Sequence, residues 1–163
     1  MNIVASLVVG KDGSTSKKWS SAGVSSAVDR QVFLQRRREV DCIIVGGNTA
    51  RSEPYNRTPV PLIVISRSLV NPVPGNHLAN LWNCSPVQAV EKAEKLFGSN
   101  ILIEGGVRII NELIAHNVLD RIELSITTVT GGDDRIDWQA LLSHFQHCQS
   151  HESEGTTFYS AFN

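Results

Sequence analysis

With 163 residues, 41% hydrophobic and 19% charged, the chain has the size and composition of a single globular domain. A formal charge of −1 argues against the broad basic surface of a nucleic-acid binder, and no apolar run reaches the ~20 residues that cross a bilayer. Cys42, Cys84 and Cys148 are odd in number and form no C-x-x-C pair, so neither a disulfide framework nor a zinc site is expected, and the chain reads as cytoplasmic.

Taken in order, short β-like runs alternate with helix-period segments, the pattern of an α/β domain. Ile3–Val9 reads as a strand, and Gly10–Gly23, made of Gly, Ser, Lys and Asp, as a mobile surface loop. Ser26-x-x-Asp29 resembles a capping box and opens a helix that runs to about Glu39. Asp41–Val45 is a continuous apolar run closed by Gly46–Gly47, as a strand buried on both faces would be, and Pro61–Ser66 repeats it. Between them 48–59 reads as a polar loop, and Leu81–Asn83 as a short strand after a loop at 71–80. Ser85, Pro86 and Gln88 give the clearest helix start, Val90, Ala93 and Phe97 give its stripe, and Gly98 its stop. A strand at Asn100–Glu104 and a helix at Val107–His116 follow. Arg121–Val129 alternates Ile122, Leu124 and Ile126 with polar residues, a strand with one wetter face; Trp138–Phe145 reads as a short helix and Thr156–Phe162 as a last strand. His144 and His147, at i and i+3, read as an exposed helix face, not as metal ligands.

Chemistry concentrates at two corners. Ile101–Ile110 passes from a buried strand through Gly105–Gly106 into a helix. Glycines let backbone approach a ligand, and a helix start offers unpaired N–H groups and the positive end of a dipole to a phosphate. An ordinary tight turn explains the same segment equally well. Ile43–Thr49 is a second strand–Gly–Gly corner, and two such corners could grip opposite ends of one extended cofactor. The spacing G-x-G-x-x-G is absent, which disfavours a standard Rossmann domain. Around the corners lie Glu104, Glu53, Arg57 and the run Arg36–Arg38, the last either a solvated helix end or a source of one phosphate ligand. No catalytic side chain is assigned.

The order of these landmarks resembles the reductase domain of riboflavin biosynthesis, a family with a dihydrofolate-reductase-like fold. The matching residues are Ala5-Ser6, Asp12-Gly13, Trp19-Ser20, Asp29-Arg30 through Arg37, Asp41–Thr49, Glu53-Pro54, Arg57, Glu104-Gly105-Gly106, Asn111–Ile114 and Val118–Leu124. The resemblance implies one domain with a mixed, mostly parallel sheet flanked by helices. It also implies NADPH as cofactor, a phosphoribosylamino-pyrimidine as substrate, a ribitylamino product and a homodimer, with the face of Arg121–Val129 as a candidate interface. By the same resemblance Trp19, Gly46, Gly47, Thr49, Glu53, Ser66, Gly105, Gly106, Val107, Arg108 and Ile109 would hold NADPH. Arg37 and Arg57 would hold the substrate phosphate, and Glu104 its base or ribose. The chain departs from the family at Glu53, where an aspartate is common, at Lys17, where a serine is common, and in contracted loops before Trp19 and around Arg57. It carries no His-x-Glu or Pro-Cys-x-x-Cys deaminase signature. A same-fold reductase acting on a pterin and a non-catalytic nucleotide-binding module are the alternatives.

Overall fold

The computed structural model describes residues 1–163. Eight strands line up in the order β4-β3-β2-β5-β1-β6-β8-β7, with five α-helices between them. The strands are β1 (Asn2–Val9), β2 (Cys42–Gly46), β3 (Leu62–Ile65), β4 (Ala79–Trp82), β5 (Asn100–Ile103), β6 (Arg121–Ile126), β7 (His147–Ser153) and β8 (Thr156–Phe162). The helices are α1 (Ala27–Arg38), α2 (Gly47–Ser52), α3 (Pro86–Phe97), α4 (Val107–Ala115) and α5 (Trp138–Leu142). The fold is the expected α/β one, with a mixed and mostly parallel sheet.

The chain divides into two compact units, Met1–Ala5 with Arg36–Asp120, and Ser6–Gln35 with Arg121–Asn163. In the first, β1, β5, β2, β3 and β4 pair in parallel. Ile43, Ile44, Ile63, Leu102 and Ile103 are fully buried, which explains why β2, β3 and β5 read as unbroken apolar runs. Ile43, Val45, Leu62, Val64 and Leu102 form one apolar layer that Tyr55 and Val73 complete. Helix α3 starts as its sequence dictates: Ser85 Oγ accepts from the Gln88 amide at 3.2 Å and the Gln88 side chain caps the Ser85 amide.

In the second unit β6, β8 and β7 pair antiparallel. Here the structure corrects several expectations. Gly10–Gly23 is not a loose loop. It is laced to 129–136 by bonds that include Lys11 N to Val129 O, Thr15 N to Asp134 O and Gly131 N to Asp12 Oδ2. His147 lies not on a helix but in β7, a strand whose polar sequence shows no apolar alternation and whose faces are exposed. Its turn to β8 is made by Glu154 and Gly155, both at positive φ, the backbone that a two-residue hairpin needs. The supposed wetter face of β6 is largely covered, since Ser125 and Thr127 are 4% exposed and Thr127 Oγ1 donates to the Val24 carbonyl. In the first unit, the polar loop at 48–59 opens with the short helix α2.

Candidate active site

Strands β2 and β5 are parallel neighbours, with Ile43 opposite Leu102 and Ile44 opposite Ile103. The ladder continues past both strand ends: the Glu104 amide donates to Ile44 O at 2.9 Å and the Gly46 amide to Gly105 O at 3.2 Å. The two glycine corners therefore stand side by side and form one edge, not the far ends of an extended grip. In sheet order β2 is followed outward by β3, whereas the chain leaving β5 passes to strands beyond β1. The corners thus flank a topological switch point, where open α/β sheets place their ligands.

The glycines are not equivalent. A Cβ on Gly47 would sit 2.9 Å from Ser66 Oγ and 3.3 Å from Arg51 Nη1, and one on Gly46 would sit 3.2 Å from Ile109 Cδ1, so protein atoms already fill those spaces. Gly105 has φ +88°, a conformation that side chains resist, and its peptide to Gly106 is cis. Gly106 is different. Its φ of −83° suits any residue, and a Cβ there would find only Thr49 Oγ1, at 3.7 Å. Neither its φ nor any contact beyond its chain neighbours requires glycine at 106, and the space beside it is open. Gly106 also caps α4 with no side-chain bond, and the first bonds into that helix come from the Ile109 and Ile110 amides to Gly106 O. The helix start therefore presents amides and positive dipole to the open space, with exposed Arg108 in its first turn. This donor set fits a phosphate of a dinucleotide.

Directly behind this edge lies a buried ionic cluster. Glu104 follows Leu102 at strand period, so its carboxylate enters the apolar layer that Tyr55 completes. A charge there needs partners. Arg37, from the last turn of α1, gives Nε to Glu104 Oε1 at 2.7 Å and Nη2 to Oε2 at 2.5 Å, and the Tyr55 hydroxyl donates to Oε2 at 2.8 Å. The Arg37 and Glu104 side chains are 8% and 2% exposed, and the guanidinium lies 4.9 Å over the Tyr55 ring. Burial pulls Arg37 down, but the hydrogen bonds and charge of Glu104 outweigh it and hold the guanidinium above its ordinary value. Burial first, and the Glu104 charge second, push the Tyr55 hydroxyl well up, so it stays a donor. Arg37 and Glu104, each expected to hold the substrate, pair with one another, with both carboxylate oxygens engaged. Sequence reasoning missed Tyr55; its one visible signal was a lone aromatic in the polar stretch after α2.

The remaining expected residues fall as follows. Thr49 is half-buried beside Gly105 and Gly106, and Glu53 ends α2, its amide on Thr49 O. Ser66, at the end of β3, gives its amide to Trp82 O and accepts from the Ser68 amide. Arg57 is exposed. These, with Val107, Arg108 and Ile109, belong to the first unit, and Arg51 joins them at Gly47 without having been foreseen. Trp19 belongs to the second unit, 76% exposed, at φ 63° after Lys18 at 53°, its amide held by Asp133 Oδ2. No group of three His, Cys, Asp or Glu side chains is arranged to hold a metal ion. Cys42 packs fully buried in β2, and burial, then the charge of Asp41, pushes its thiol up to about 12. No helix is long and apolar enough to cross a membrane.

Three solved structures share this fold. A pyrimidine reductase-like protein from Corynebacterium diphtheriae superposes with TM-score 0.72 at 17% identity, over 99% of this chain and 91% of that one. A diaminohydroxyphosphoribosylaminopyrimidine deaminase/5-amino-6-(5-phosphoribosylamino)uracil reductase from Thermotoga maritima gives 0.69 at 13% identity, over 99% of this chain and 56% of that one. A riboflavin biosynthesis protein, so described provisionally, from Shewanella sp. PV-4 gives 0.65 at 16%, over 99% and 98%. No curated protein matches the chain. Residues 2–150 match the family described as the RibD C-terminal domain, and the chain belongs to that family.

Proposed function

We propose that the chain is an NADPH-dependent reductase of riboflavin biosynthesis. Its substrate is 5-amino-6-(5-phosphoribosylamino)uracil or the diamino-pyrimidinone analogue, whose ribose it reduces to the ribityl chain. The observation that carries this reading is Gly106: a glycine facing open space beside Thr49, at the start of α4 that no side chain caps, on the edge shared by β2 and β5. Family membership points the same way.

When bound, NADPH supplies the hydride. The chain's part is to bind and orient. The α4 amides and Gly106 take the pyrophosphate, Thr49 Oγ1 stands beside them, and Ser66 and Arg51 offer a hydroxyl and a charge next to Gly47. Arg57, exposed on the segment after α2, is the arginine that remains for the substrate phosphate. A cytoplasmic homodimer completes the proposal.

The test follows NADPH absorbance with the phosphoribosylamino-pyrimidine, with dihydrofolate, and with neither. Oxidation dependent on the pyrimidine alone is the expected result; turnover of dihydrofolate alone would sink the reading.

A further inference from the structure

The Glu104 carboxylate is 2% exposed and accepts three hydrogen bonds from its own chain. Arg37 Nε holds Oε1, and Arg37 Nη2 and the Tyr55 hydroxyl hold Oε2. A buried ion pair of this kind adds little net stability, because desolvation of the two charges offsets their attraction. Its remaining effect is geometric: a bidentate fork fixes a carboxylate in position and angle. That matters here because the neighbouring corner is otherwise held through its backbone, by the Gly46 amide on Gly105 O and the Ile109 and Ile110 amides on Gly106 O. Gly105 and Gly106 have no side chains, and Gly106 caps α4 without one. Glu104 is the adjoining residue whose side chain can anchor the edge, and its amide is already on Ile44 O.

The anchor extends further. The Tyr55 carbonyl accepts from Asn76 Nδ2 at 3.0 Å, and the same group donates to Thr58 Oγ1 at 3.0 Å. Asn76, Tyr55, Glu104 and Arg37 thus join the segment after α2, the β5–α4 corner and the end of α1. We infer that Arg37 and Tyr55 are positioning residues, which clamp the Glu104 carboxylate and so set the Gly105–Gly106 edge for a dinucleotide phosphate without touching it. The inference rests on the cofactor reading above.

The decisive variant is an all-apolar triad, Arg37→Met/Tyr55→Phe/Glu104→Met, read in three ways: Tm, hydrogen exchange of the Gly46 amide, and NADPH affinity. The Gly46 amide reports the edge directly because it bonds Gly105 O. Apolar replacement of a whole buried ionic cluster is often neutral for folding, so Tm should stay within a few degrees. Gly46 exchange should rise and NADPH affinity fall, each about tenfold. Native exchange and native affinity in a folded triad would overturn the inference, since the cluster would then be mere packing. If the triad does not fold, Tyr55→Phe, which keeps the ring over Arg37, is read the same way, and unchanged Gly46 exchange overturns the inference. Failure of the unmodified protein to bind NADPH would instead defeat the cofactor reading, and Gly46 exchange alone would then decide whether the clamp exists.

Discussion

The Gly46 amide donates to the Gly105 carbonyl at 3.2 Å, and this one bond turns two separate glycine corners into a single edge. Thr49 stands over it, Ser66 and Arg51 lie beside Gly47, and Glu104 anchors it from within.

Breaking the pair behind the edge should be costly. Arg37→Ala leaves Glu104 buried with one neutral donor, and losing one member of a buried pair typically costs about 3–5 kcal/mol. Urea denaturation should show a loss of that order, whereas Arg57→Ala, at an exposed position, should leave stability unchanged and raise KM for the phosphorylated substrate. Equal stability loss in both variants would mean that the pair carries no special weight.

Acid should weaken the second unit through Asp12. The Ser14 hydroxyl first, then the Gly131 amide, hold its carboxyl below the ordinary 3.8, with Arg135 3.3 Å away. A depressed acid stabilises the fold while ionised, so the contribution is complete above the ordinary value and is lost as pH falls through the lower folded one. The Tm advantage of the native protein over Asp12→Asn should be constant from neutral pH to about 5 and shrink below 4. A gap that widens on acidification would refute the assignment.

The β7–β8 turn offers a local check. Gly155 sits at φ 76°, so Gly155→Ala forces a side chain into left-handed backbone at a cost of about 1–2 kcal/mol. Thermal unfolding should register it as a drop of several degrees, and no drop would argue against the hairpin.

How much of this could be read in advance differs by element. Strands β2, β3 and β5 were legible because burial on both faces leaves continuous runs of Ile, Val and Leu, and α3 because Ser85, Pro86 and Gln88 spell its start. Strand β7 was not, since a strand exposed on both faces has no periodicity to read. The lacing of Gly10–Gly23 was hidden for a related reason: backbone groups and short polar side chains hold it, and composition cannot tell a pinned polar loop from a free one. Arg37 and Glu104 were each singled out, but their pairing joins positions 67 residues apart, and Tyr55 carried no motif at all. The corners were visible as glycines; their adjacency came only from strand order.

The most direct test of the NADPH site is Gly106→Val, measured for NADPH affinity and for Tm on the same preparation. A Cβ at 106 meets only Thr49 Oγ1 beyond its chain neighbours and stands in the space assigned to the phosphate, so affinity should fall at least about tenfold while Tm moves by only a few degrees. Unchanged affinity, or a loss of folding as large as the loss of binding, would contradict the account.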